Sequence, residues 1–210
     1  MSTPSFQSAE TSPDKDGLIH GISAEELQAI GEQCIEAKTK AYCTYSQPPH
    51  RYHDKLTYAN SKLTGPYSLF RVGASLLLHP TTPSPSPSTT PYPTSHILTG
   101  ANVENAAYPV GTCAERVAMG TAIHLGHRIG SFKAVGVATD IDDFCSPCGM
   151  CRQFLREFLG LEVPVFMFNK EGGFIVRTMG ELLPLGFGPD VLPGREVMRR
   201  VVEGDKGKTA

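Results

Sequence analysis

A chain of 210 residues, 40% hydrophobic and 19% charged, is long enough to bury one sizeable core and is ordinary in composition for a globular domain. Its formal charge of −2 argues against a phosphate-backbone binder, and the small basic cluster Arg195, Arg199 and Arg200 reads as a solvated helix face. Without a span-length apolar run or a signal-like N-terminus the expected location is cytoplasmic, where six cysteines suggest metal or catalysis before disulfides.

Residues 1–21 are polar and read as a disordered tail. Ser23 opens a helix, because Glu26 three positions on completes a capping box. Leu27, Ile30, Cys34, Lys38 and Ala41 trace one helical stripe, with the Lys38 amine expected to snorkel to solvent. Residues 44–65 show no period and carry Pro48, Pro49 and Gly65, so they read as an inserted surface loop. "LFRVGASLLL" (69–78) is strand-like, and the proline-rich 79–96 cannot build a core. "ILTGANV" (97–103) returns, which predicts an antiparallel hairpin with an overgrown tip.

A helix is expected from Cys113 to about Leu125, stopped by Gly126. A strand follows at 132–139, then a helix in 146–160 with Ser146 as cap and Pro147 in the first turn. The strands 163–169 and 174–179 are joined by "KEGG", too short for a parallel crossover, so they should be antiparallel. A short "ELLPL" helix closes the order αββαβαββα. That order predicts an α/β fold, a three-layer α/β/α sandwich with a mixed five-stranded sheet. It occupies residues 22–192, with a C-terminal tail at 193–210.

The chemistry concentrates in "GANVENAAYPVGTCAERVAMG" and "SPCGMCRQFLREF". Cys148 and Cys151 are three apart in a helical first turn, so their sulfurs share a face. Cys113 begins another helix, where the dipole and unpaired N–H groups favour a thiolate. Three converging sulfurs make a tetrahedral zinc site with one position open to water, whose pKa zinc lowers toward about 7. Glu115 could move protons beside it, or could simply complement the positive end of its helix. Arg116 could hydrogen-bond the sulfurs and offset their charge, or could be an ordinary surface arginine. Cys145 makes a second CxxC with Cys148, but an iron–sulfur run would need a fourth cysteine where Leu155 stands. Cys145, Cys34 and Cys43 read as buried or free thiols.

"NVENAAYPVGTCAERVA", "SPCGMCRQFLREF" and "ELLPLGFGPDVL" resemble the zinc-dependent cytidine deaminases in their small-subunit, homotetrameric form. The resemblance covers about residues 23–43 and 66–192 and implies hydrolysis of cytidine and 2′-deoxycytidine, with release of ammonia, in pyrimidine salvage. It implies one zinc per chain on Cys113, Cys148 and Cys151, with Glu115 as the catalytic proton shuttle and Arg116 supporting the sulfurs. Substrate-binding positions fall on Phe70, Asn102, Glu104, Ala106, Tyr108 and Phe187. Asn102 and Glu104 would read the ribose, Phe70 would pack on the pyrimidine, and Phe187 would reach a neighbouring subunit's site in a homotetramer. A family tyrosine maps to Tyr45 or Tyr67, since the 44–65 insertion can be drawn at either. No nucleic-acid or membrane partner is expected. Competing readings are a deaminase of modified cytosine nucleosides, which "CAER" and the "FGP" tail disfavour, and a structural zinc module, for which no fourth ligand is evident.

Overall fold

The computed structural model describes residues 6–43, 70–80 and 96–193. The 44–65 insertion, nearly all of the 79–96 excursion, Tyr45, Tyr67 and the Arg195–Arg200 cluster lie outside the described residues. No helix among the described residues is long and apolar enough to cross a membrane.

Strand β1 (Gln7–Ser8) precedes helix α1 (Ala24–Lys38), after which β2 (Val72–Leu78) and β3 (Ile97–Ala101) form the expected antiparallel hairpin. Helix α2 (Ala114–His124), β4 (Phe132–Thr139), α3 (Gly149–Arg156), β5 (Pro164–Phe168), β6 (Gly173–Thr178) and α4 (Met179–Leu182) complete the order. The sheet runs β1-β6-β5-β4-β2-β3, with β4–β5 and β1–β6 parallel and the other pairs antiparallel. It is a mixed sheet as expected, but of six strands rather than five. The extra strand comes from the stretch assigned to the tail: Gln7 and Ser8 pair with Gly173 and Phe174, and Phe6 packs edge-on against Phe168. Two residues are too short to leave a period in the sequence, so only the exposed edge of β6 reveals them.

The capping box forms: Glu26 N donates to Ser23 Oγ at 3.3 Å and Ser23 N to Glu26 Oε2 at 3.0 Å. Leu27, Ile30 and Cys34 then bury on one sheet face against Leu77, Ala134, Ala138, Phe166 and Phe168. Helices α2 and α3 cover the other face, over Ala74, Leu76, Val135, Val137 and Val165. This alternation along β4 is the two-residue period of a strand buried on both sides.

Lys38 does not snorkel. It is only 7% exposed, and its Nζ pairs with Asp140 at 2.9 Å and donates to the Thr139 carbonyl at 2.8 Å. The reason is that α1 lies flat on the sheet and Asp140, at the end of β4, supplies a countercharge that Arg71 shares from the other side.

Gly73 sets how closely α1 can lie. A Cβ there would sit 1.9 Å from the Cys34 carbonyl oxygen and 2.5 Å from Lys38 N, both backbone atoms that cannot turn aside. Overpacking costs about 1–3 kcal/mol and more when backbone must shift. Gly73→Ala should therefore lower Tm by at least about 6 °C, at the 2–4 °C per kcal/mol expected for this size. Thermal unfolding checks it, and a shift within about 2 °C would show that the helix adjusts freely.

Candidate active site

Two helix starts meet above the sheet. Cys113 is the N-cap of α2 and Cys148 the N-cap of α3, both with extended backbone, and neither side chain caps its own helix. The α3 helix thus begins at Gly149, later than the Ser146 cap read from sequence, because Cys148 stays extended as the N-cap. Cys151, in the first turn of α3, is fully buried and joins the other two: the three sulfurs lie within 4.8 Å of one another. Cys113 Sγ and Cys148 Sγ are 3.9 Å apart. A tetrahedral zinc with Zn–S of ~2.3 Å holds its sulfurs about 3.8 Å apart, so the donor set fits that metal.

The electrostatics fit it too. A hydrogen bond from Cys151, then interactions with Arg116 and Cys148, pull the Cys113 thiol down to about 5. The same shared bond and burial push Cys151 up. Three close sulfurs without a cation keep a proton among themselves, and a divalent cation would take that proton's place. Arg116 faces this cluster. Burial works to lower its pKa, yet the Cys113 and Cys151 sulfurs raise it overall. Its Nη2 donates to the Gly111 carbonyl at 3.2 Å, which braces the guanidinium against the turn before Cys113.

Glu115 is 3% exposed in the first turn of α2. Burial pushes its carboxyl pKa up, its own backbone N–H works against that, and the negative Cys113 sulfur adds to the rise. A carboxyl held toward its protonated form beside a metal site is equipped to carry a proton. The helix-dipole role and the proton role are compatible at this one position.

A cavity of about 280 Å³ opens beside the sulfurs. Phe70, Asn102, Glu104, Cys113, Glu115 and Cys148 line it, so six of the residues singled out in the sequence converge. Asn102 is 9% exposed and ties down the start of β2: its Oδ1 accepts from Val72 N at 2.8 Å and its Nδ2 donates to the Phe70 carbonyl at 3.1 Å. Ala106 is exposed, Tyr108 begins a short 3₁₀ turn, and neither Ala106 nor Phe187 lines the cavity. Phe187 is 60% exposed. Its carbonyl accepts from Gln153 Nε2 at 2.8 Å, while Arg156 on the same helix pairs with Asp190, so α3 holds the segment that presents the ring. Sequence reasoning missed Val72, Val137, Thr139 and Ser146 in the wall, and it took Cys145 for a bystander although it lines the cavity. Strand register brings Val72, Val137 and Thr139 there, and the loop between β4 and α3 brings Cys145 and Ser146.

The family model describing the cytidine and deoxycytidylate deaminase zinc-binding region matches residues 93–167, which hold all three sulfurs and Glu115. A cytidine deaminase of Sporosarcina psychrophila is 39% identical over 127 residues, 60% of this chain and 82% of that protein. One from Halalkalibacterium halodurans is 35% identical over 122 residues, covering 58% and 80%. The crystal structure of cytidine deaminase from Burkholderia pseudomallei superposes with a TM-score of 0.54 at 31% identity, over 76% of this chain and 97% of that one. Having the fold, the sulfur cluster and relatives matched over most of their length, the chain belongs to the cytidine deaminase family.

Proposed function

We propose that the chain hydrolyses cytidine and 2′-deoxycytidine to uridine and 2′-deoxyuridine, releasing ammonia, as a zinc enzyme of pyrimidine salvage in the cytoplasm. The observation that carries the reading is the meeting of three sulfurs with the buried Glu115 at one wall of a nucleoside-sized cavity. Cys113, Cys148 and Cys151 would hold one zinc per chain, which when bound would activate a water molecule for attack at neutral pH. Glu115 would take one proton from the attacking water and give it to ring nitrogen 3, then take the second from the new hydroxyl on carbon 4 and give it to the amine, which leaves as ammonia while the carbonyl forms. Its burial keeps bulk water from competing for the proton. Arg116 offsets the negative charge that three thiolates would otherwise leave on the site.

Phe70 lies against the ring in this reading, and Asn102 and Glu104 meet the sugar hydroxyls, with Ala106 and Tyr108 completing the sugar end. The exposed Phe187, clamped on α3 and outside its own cavity, supports a homotetramer in which it completes a neighbour's site. Three donors and no fourth in the cluster, among the described residues, favour an open reactive site over a closed structural one.

The decisive experiment follows the absorbance change of cytidine, deoxycytidine and cytidine monophosphate with the purified protein, alongside light scattering. Turnover of the two nucleosides by a tetramer is expected. No turnover of either nucleoside by zinc-loaded protein would overturn the reading, and an active monomer would overturn the shared sites.

A further inference from the structure

Thr139 is a wall residue of the cavity that no motif in the sequence singles out. Along β4, Val135, Val137 and Thr139 share one face, and the first two belong to the core under α2 and α3. The Thr139 side chain therefore stands on the reactive side of the sheet. Its residue is 1% exposed, and its Oγ1 is buried without a hydrogen-bond partner among the described residues. Lys38 does not supply one, since its Nζ bonds the Thr139 carbonyl instead. A buried hydroxyl left unpaired is costly, and interior hydroxyls nearly always find a partner.

The position within the sheet says what that partner would be. β4 and β3 flank β2 on opposite sides, with Val72 of β2 facing Thr139 in register. Asn102 follows β3, so the sugar-reading end of the cavity lies across β2 from Thr139. On leaving Thr139 the chain runs into Cys145 and Ser146, which also line the cavity, and then into Cys148. Thr139 thus stands on the wall of the base edge that is exchanged, away from the sugar.

We propose that the Thr139 hydroxyl accepts a hydrogen bond from the exocyclic amino group of the bound cytosine, making Thr139 a specificity-determining contact. Oγ1 is out of contact with solvent, so water does not satisfy it. One staggered step about χ1 carries Oγ1 into the place of the Cγ2 methyl and the methyl into that of Hβ, which turns the oxygen toward a ligand without moving the strand. The amino group has two donors, and of the two side-chain hydroxyls on this stretch of the wall, that of Ser146 already accepts from Arg152 Nη2 at 2.6 Å. The proposal rests on the cytidine reading above.

Thr139→Val keeps the shape and removes the hydroxyl, and Thr139→Ser restores it. One neutral hydrogen bond made in the bound state should appear as a rise in KM of about threefold to tenfold for Thr139→Val, with kcat largely kept. The rise should be the same for cytidine and deoxycytidine, and Thr139→Ser should recover most of it. A pyrimidin-2-one riboside, with hydrogen in place of the amine, should inhibit wild type and Thr139→Val equally. The Tm of Thr139→Val should hold or rise, because the empty protein loses no bond. An unchanged KM, a fall in Tm, or a parallel loss of affinity for the riboside would each overturn the proposal. Wild-type protein that leaves cytidine untouched would remove the function first, and the two failures are thereby told apart.

Discussion

Glu115→Gln should fold, retain its metal and lose kcat by at least about 100-fold, since a positioned general acid–base contributes about 10²–10⁴-fold. The amide keeps the size and a hydrogen-bonding oxygen but cannot act as an acid or a base at neutral pH. In the reading proposed above, Cys113, Cys148 and Cys151 would hold the metal and Glu104 would meet the sugar, while the neighbouring sulfurs raise the pKa of Arg116. The substitution also separates chemistry from stability. Burial, the main cause, raises the folded pKa of Glu115 above its unfolded value. The folded state therefore binds the proton more tightly, and metal-free stability falls as pH rises from the unfolded value of about 4.5 through the raised one. Below that window both states are protonated and the term vanishes. Glu115→Gln removes the penalty, so at neutral pH the metal-free variant should melt at or above the wild-type temperature. A variant that keeps more than about a hundredth of wild-type kcat would take the proton role away from Glu115, and one that melts clearly lower would overturn the burial penalty.

Much of this site is legible before any coordinates, because helix starts leave strong local signals. Ser23 with Glu26, and Gly126 after α2, mark ends that the backbone confirms, the glycine having φ +95°. Cys113, Cys148 and Cys151 are readable for the same reason: spacing within a first turn fixes which sulfurs can share a face. What escaped depends on long-range register. Thr139 reaches the cavity only because β4 pairs with β2 so that it faces Val72, and no window of sequence holds both partners. Lys38 was misjudged because its countercharge, Asp140, lies about a hundred positions away in the chain. β1 escaped since two residues owe their strand to an edge built by β6, not to their own propensity. Ala106 and Phe187 show the converse case: the resemblance names them, while a single chain leaves both outside the cavity.

Cys148→Ser should lose most of its zinc, whereas Cys145→Ser should keep close to one zinc per chain. Both cysteines sit in overlapping CxxC spacings, so sequence alone leaves the pair ambiguous, and geometry separates them. Cys148 Sγ lies 3.9 Å from Cys113 Sγ, while Cys145 stands outside the cluster and contacts the Ser146 carbonyl at 3.8 Å. Burial, and then the negative charge of Glu115, raise the Cys145 thiol pKa. A serine at position 148 offers a hydroxyl that does not ionise at neutral pH, in place of a thiolate that zinc binds well. Stability should follow the metal. A ligand present at 1,000 times its Kd adds about 4 kcal/mol, so chelation should lower the wild-type Tm by roughly 8–16 °C. Cys145→Ser should show the same drop on chelation. Cys148→Ser should show little, having little metal to lose, and its untreated Tm should lie near that of chelated wild type. Metal analysis and melting curves on the three proteins read this directly. Equal zinc loss in both variants would mean that Cys145 takes part in the site, and full zinc in Cys148→Ser would dismiss the three-sulfur centre.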